Sequence, residues 1–169
     1  MTVDTSKLPY RPCVGALILN RAGLVWIGHR FDAVDSHEAR GAWWQMPQGG
    51  IDKGEDPRSA VLREAREETG MTSLEVIAEL PGWHNYDLPP KLKGNLWGGK
   101  YRGQTQKWFA LRFTGLDSEV MIEGVGHAAE FDAWRWSQPS ELLDIVVPFK
   151  RDVYQAVLSE AIKLGVVPA

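Results

Sequence analysis

The chain has 169 residues, 44% hydrophobic and 24% charged, with a formal net charge of −3. That is enough chain for one domain with its own core, and residues 1–169 read as a single unit. The slight acidity excludes a general nucleic-acid binder. No apolar run reaches the roughly 18 residues of a membrane span, and the single cysteine, Cys13, excludes an internal disulfide. The opening stretch MTVDTSKLPYRP lacks an apolar segment, so the expectation is a cytoplasmic protein with no membrane contact and, absent any signal for a stable protein partner, a monomer.

Residues 13–20 (CVGALILN) form an apolar run of strand length, and residues 24–30 follow after the turn-forming Asn20-Arg21-Ala22-Gly23, which predicts a β-hairpin. Cys13 reads as a small buried side chain. Residues 31–40 (FDAVDSHEAR) are polar between apolar runs. Residues 43–46 read as a short strand stopped by Pro47, and Gln48-Gly49-Gly50 reads as a loop where backbone can approach a neighbour closely. Asp56 and Pro57 mark a helix start, and Gly70 fits the position that ends it. Residues 75–80 and 83–88 read as strands, with Pro89-Pro90 as a break. The glycine-rich residues 91–103 read as a loop and the alternating residues 104–114 as a long strand. Residues 131–136 predict another strand, 140–144 a short helix and 149–164 a last helix opened by Pro148 and closed by Gly165. Strands on both sides of two long helices predict an α/β fold with the sheet sandwiched between helices.

The chemistry concentrates in residues 49–71, GGIDKGEDPRSAVLREAREETGM. Positions three and four apart share a helix face, so Glu64, Glu67 and Glu68 point one way, with Val61, Ala65 and Thr69 on another. Like charges so placed repel by roughly 0.2–0.5 kcal/mol per pair. A hard divalent cation seeking oxygen ligands accounts for such a cluster. Arg63 is placed to pair with Glu67 one turn on, and with Glu55, so as to orient the carboxylates. The charge distribution adds a second signal. Residues 88–116 contain no Asp or Glu but hold Lys91, Lys93, Lys100, Arg102, Lys107 and Arg112. A polyanion held at the acidic turn through metal could rest its remaining charge there.

The spacing of Gly49, Glu55, Arg63-Glu64, Glu67-Glu68 and Gly70 resembles the Nudix box of hydrolases acting on linked nucleoside diphosphates. The one soft departure is Ala65, where the pattern usually carries a bulkier aliphatic residue. The resemblance implies an α/β/α sandwich with a mixed sheet, and Mg2+ (Mn2+ being possible) held by Glu64, Glu67, Glu68 and the Gly49 backbone. Glu67 then acts as ligand or base. Some members need a further acid from outside the helix, for which Glu130 in Glu130-Phe131-Asp132 is the candidate ligand and catalytic group. Arg63 completes the catalytic set.

Further segments carry a narrower resemblance: Tyr10-Arg11-Pro12 with Val14-Gly15, Trp44-Gln45-Met46-Pro47-Gln48-Gly49-Gly50, Gln106-Lys107-Trp108-Phe109, Glu130-Phe131-Asp132 and Phe149-Lys150-Arg151-Asp152-Val153-Tyr154. Together they resemble the branch of bacterial RNA pyrophosphohydrolases and dinucleoside polyphosphate hydrolases. It implies a nucleotide polyphosphate or a 5′-triphosphate RNA end as substrate. Arg11, Arg30, Lys107 and Lys150 are candidate phosphate cations, and Phe149 and Tyr86 candidate rings for base stacking. Trp108, Trp134 and Trp136 read as core, and His29, His37, His84 and His127 lack metal-ligand spacing. The alternatives are a silent nucleotide-binding sensor with the same fold and a pyrophosphatase that sanitises the nucleotide pool.

Overall fold

The computed structural model describes residues 4–30, 43–89, 96–124 and 129–168. The expectations for residues 31–40, for Lys91 and Lys93, and for His37 and His127 lie outside the described residues. Among the described residues, eight strands run in chain order as β1 (Tyr10–Leu19), β2 (Val25–His29), β3 (Trp44–Gln45), β4 (Gln48–Gly50), β5 (Leu74–Glu79), β6 (His84–Asp87), β7 (Gly103–Phe113) and β8 (Ala133–Ser137). Three α-helices join them: α1 (Pro57–Thr69), α2 (Leu142–Ile145) and α3 (Arg151–Lys163).

The spine of the sheet is β1 laid parallel to β7, in register from Tyr10 opposite Gly103 to Leu19 opposite Arg112. The expected hairpin exists, but β1 and β2 pair only at Leu19 and Val25. Beyond that point β2 pairs along its length with β8. Strands β5 and β6 both run antiparallel to β7. The mixed sheet has two buried faces because side chains alternate along each strand. Val14, Ala16, Ile18, Phe109 and Leu111 face α1 and pack with Ala60, Val61 and Ala65. Leu17, Leu19, Trp108 and Ala110 face the other way and pack with Val153, Tyr154, Val157 and Ala161 of α3. The sandwich expected from the sequence is therefore the observed architecture. Cys13 and Trp108 are buried as expected, whereas Trp134 and Trp136 only partly enter the core.

Two details depart from the sequence reading. Gln48-Gly49-Gly50, expected as a loop, is strand β4, paired antiparallel with Cys13, Val14 and Gly15 of β1. Three residues with two glycines carry no strand pattern of their own; the partner strand imposes it. The last helix begins at Arg151, because Pro148–Lys150 forms a single 3-10 turn before it.

Candidate active site

Helix α1 is fixed at both ends by local chemistry. The Asp56 carboxylate accepts the backbone N–H groups of Arg58 and Ser59, Pro57 follows it, and Gly70 adopts the left-handed conformation, φ 74°. The helix lies on β4, and its acidic turn meets that strand's backbone. The N–H of Gln48 donates to Glu68 Oε2 at 3.1 Å. A Cβ at Gly49 would fall 2.1 Å from the Glu64 carboxyl carbon, so only glycine leaves that carboxylate its place. The close approach expected at Gly49 is thus an approach of the Glu64 carboxylate.

Arg63 ties the turn together. Its Nε and Nη2 donate to the two oxygens of Glu55 at 2.8 Å each. Its Nη2 also reaches the Gly50 carbonyl at 2.9 Å, and its Nη1 reaches Glu64 Oε1 at 3.0 Å. The contact to Glu67 is longer, 3.3 Å. The bidentate partner of Arg63 is therefore Glu55 rather than Glu67. These hydrogen bonds hold the Glu55 carboxyl down to about 2 and raise the Arg63 guanidinium.

The other acids respond differently. Glu68 is buried, and burial first, then the charges of Glu64 and Glu130, push its carboxyl well above the ordinary range; the Gln48 N–H opposes them. Burial also raises Glu64, with Glu67 adding to it and Arg63 opposing it. Glu67 stays at the rim with 44% of its side chain exposed, and Glu130 with 45%. Among the described residues no three acid, imidazole or thiol groups close on one point as a ready-made metal cage. Like-charged carboxylates, one of them buried, nonetheless share a small space. That donor set fits magnesium, which keeps several of its waters and binds through only one or two carboxylates.

The expected substrate residues divide between the two faces of the sheet. Lys107 lies in the row Gly49–Val14–Lys107 across three strands, about 10 Å from Gly49 by two inter-strand spacings, and its Nζ sits 3.3 Å from Glu79. Arg30 Nη2 lies 3.9 Å from Glu130. Arg11 lies over the Trp97 ring and against Gly50. Tyr86 and Lys150, expected as substrate contacts, are both buried. Tyr86 is 7% and Lys150 5% exposed. Tyr86 packs against the half-buried Phe149 at 5.6 Å between ring centroids. Lys150 Nζ donates to Gln45 Oε1 at 3.1 Å and stands 5.9 Å from each of those ring centroids. The packing of α3 on the sheet closes over them, so they form an inner wall behind β4.

Sequence reasoning missed three participants. Gln48 supplies the backbone N–H to Glu68, and its side chain joins a buried network through Gln106 Nε2 (3.1 Å) and the Tyr86 hydroxyl. His29 Nδ1 meets Asp132 Oδ1 at 2.5 Å, and the Asp132 N–H donates to the His29 carbonyl at 3.0 Å, which docks the segment carrying Glu130 on β2. Trp97 supports Arg11. The glutamine was inside a quoted motif but carries no charge to mark it; the other two depend on contacts between distant segments.

A mixed sheet between helices, with an acidic helical turn laid on a glycine strand, defines a phosphoanhydride hydrolase architecture. The chain belongs to the NUDIX domain family, whose match spans residues 9–157. The RNA pyrophosphohydrolase of Brucella abortus is 57% identical over 161 residues, covering 93% of this chain and 90% of that protein. The RNA pyrophosphohydrolase of Brucella anthropi is 55% identical over 161 residues, with 93% and 92% covered. Among solved structures, the E. coli dihydroneopterin triphosphate pyrophosphohydrolase superposes with a TM-score of 0.63 at 19% identity, over 89% of this chain and 98% of that one. The C. elegans Ap4A hydrolase gives 0.58 at 18% identity, with 90% and 96% covered. These two share the fold.

Proposed function

We propose that this chain is a cytoplasmic, magnesium-dependent RNA pyrophosphohydrolase that removes pyrophosphate from 5′-triphosphate RNA ends. The observation that carries the reading is the pair Glu64 and Glu68, stacked on the β4 backbone with Glu130 facing them, in a chain 57% identical to proteins named for that activity. When bound, the cation would polarise phosphate oxygens and bring a water to reactive pKa.

The protein's own contribution is placement and proton handling, which dominate phosphoryl transfer. Glu64 and Glu68 would hold the cation, with the Gln48 N–H fixing one Glu68 oxygen. Arg63 keeps Glu64 turned toward β4, and Glu55 keeps Arg63 in place. A proton acceptor for the attacking water must stand where solvent enters, and Glu67 and Glu130 occupy that rim. Arg11 on one sheet face and Lys107 on the other are the cations for the phosphate chain.

The test is pyrophosphate release from a 5′-triphosphorylated RNA oligonucleotide with magnesium, set against diadenosine tetraphosphate and dGTP by kcat/KM. Preference for the RNA end supports the reading. Faster cleavage of diadenosine tetraphosphate would reassign the substrate, and binding without any product would reassign the chain as a sensor. Comparing the pH profiles of Glu67→Gln and Glu130→Gln identifies the base, since only its loss removes the acidic limb.

A further inference from the structure

We propose that Trp97 is the positioning residue for Arg11, a ring that holds the guanidinium against Gly50 of β4 without cancelling its charge. Among the described residues Trp97 is the only non-glycine with positive φ, 52°. A bulky side chain rarely takes that conformation, and such strain concentrates at functional sites. Gly98 and Gly99 follow with φ 66° and 72°, and they adopt it freely. The ring itself is held firmly. It packs against the core beneath α3 and meets Tyr101 edge-on at 6.3 Å.

The Arg11 guanidinium carbon lies 5.3 Å from the Trp97 ring centroid. On its other side Arg11 reaches Gly50, where a Cβ would stand 2.5 Å from Nη2, and its charge is felt by Glu64. The comparison with the other supported arginines is informative. Arg102 also lies on a ring, 4.8 Å from Tyr10, but Asp87 binds it at 2.7 Å. Arg63 is held by Glu55 at 2.8 Å. Among the described residues no carboxylate stands within ion-pair distance of Arg11. A carboxylate support would neutralise the cation. An aromatic face orients it and leaves its full charge for an outside anion, here the phosphate chain of the polyphosphate substrate. This assignment rests on the hydrolase reading above.

The test uses Trp97→Leu, Trp97→Phe, Trp97→Gly and Arg11→Ala in the full chain. Trp97→Leu should raise KM for 5′-triphosphorylated RNA about tenfold, the loss of one cation–π contact, with kcat within about threefold of wild type. Trp97→Phe should restore most of the lost KM. Trp97→Gly should melt at a higher temperature than Trp97→Leu, because glycine accepts the positive φ, yet keep the raised KM. A purely structural tryptophan would instead move KM and melting temperature together. The Arg11 Nε–H resonance should carry an aromatic shift that Trp97→Leu abolishes. Wild-type KM in Trp97→Leu, or equal impairment in Trp97→Phe and Trp97→Leu, overturns the proposal. So does an unchanged KM in Arg11→Ala while Glu68→Gln abolishes turnover, an outcome that leaves the hydrolase reading intact. If wild type released no pyrophosphate, calorimetry with inorganic triphosphate still decides. A Kd about tenfold weaker in Trp97→Leu supports the pair, and an unchanged Kd refutes it.

Discussion

The two sides of strand β4 are made of similar material and do opposite things. Toward α1, its backbone meets Glu64 and Glu68, carboxylates pushed upward by burial and then by neighbouring acids, Glu67 for Glu64 and Glu64 with Glu130 for Glu68. Toward α3, the Gln48 side chain joins Gln106 and Tyr86, while Gln45 and Met46 just before the strand bond Lys150 and Tyr154, in a buried network whose bonds are largely satisfied. The first side carries like charge that Arg63 only partly compensates, which costs stability and suits a cation. The second side pairs its polar groups and holds the strand still. Buried polarity alone therefore does not mark the site; polarity that the protein leaves unbalanced does.

The sharpest way to break this comparison is Glu68→Gln. Turnover should fall at least a hundredfold, about 2.7 kcal/mol of transition-state stabilisation. The metal-free protein should melt at a higher temperature at neutral pH, because a buried like charge has been removed. Steady-state kinetics and calorimetry check the two halves. A variant that loses stability together with activity would put Glu68 among the structural groups.

Tyr154→Phe asks the converse question on the other side. The Tyr154 hydroxyl accepts the Met46 N–H at 2.8 Å. Without it a buried backbone donor is left unpaired, at a cost of about 1–3 kcal/mol in denaturant unfolding. Turnover should stay within a factor of about three, under 1 kcal/mol at the barrier. A larger fall in kcat than in stability would mean that the α3 side takes part in the chemistry.

Gly49→Ala probes the seam between the sides. The added methyl meets the end of the Glu64 side chain, which can swing away, so stability changes little. The displaced carboxylate should lower kcat about tenfold, some 1.4 kcal/mol. Wild-type turnover would show that Glu64 need not sit where it does.

The contrast also explains what the sequence disclosed. Helix α1 was legible because its signals are local: Asp56 caps it, Pro57 opens it, Gly70 ends it, and three glutamates fall within one turn. The long β7 was legible from its alternation and α3 from its flanking Pro148 and Gly165. β4 was not, since pairing with β1 and not its own residues makes it a strand. Tyr86 and Lys150 were recognised as a ring and a cation, but whether they open outward depends on α3 packing across the sheet. The Arg11–Trp97 contact and the His29–Asp132 pair join segments far apart in the chain, and no periodicity encodes them.

The remaining expected effect concerns pH. Glu64 and Glu68 have folded-state carboxyls raised above their unfolded values. Such groups contribute stability fully present below the ordinary carboxylate range, which is lost as pH rises through their raised folded values. Around Glu68, Glu64 and Glu130 push upward, while the Gln48 N–H and Arg30 oppose them. Glu55 has the opposite sign: held at about 2, its contribution is present above the ordinary range and disappears only as pH falls toward that value. The metal-free protein should therefore lose melting temperature from the ordinary carboxylate range upward. Magnesium should restore it most at the alkaline end, by about 2.7 kcal/mol when its concentration is 100 times Kd. Thermal melts across pH, with chelator and with magnesium, read both curves, and Glu68→Gln should flatten the difference between them. If the wild-type curves ran parallel, the carboxylates facing α1 would be as well compensated as the network facing α3, and the asymmetry across β4 would be gone.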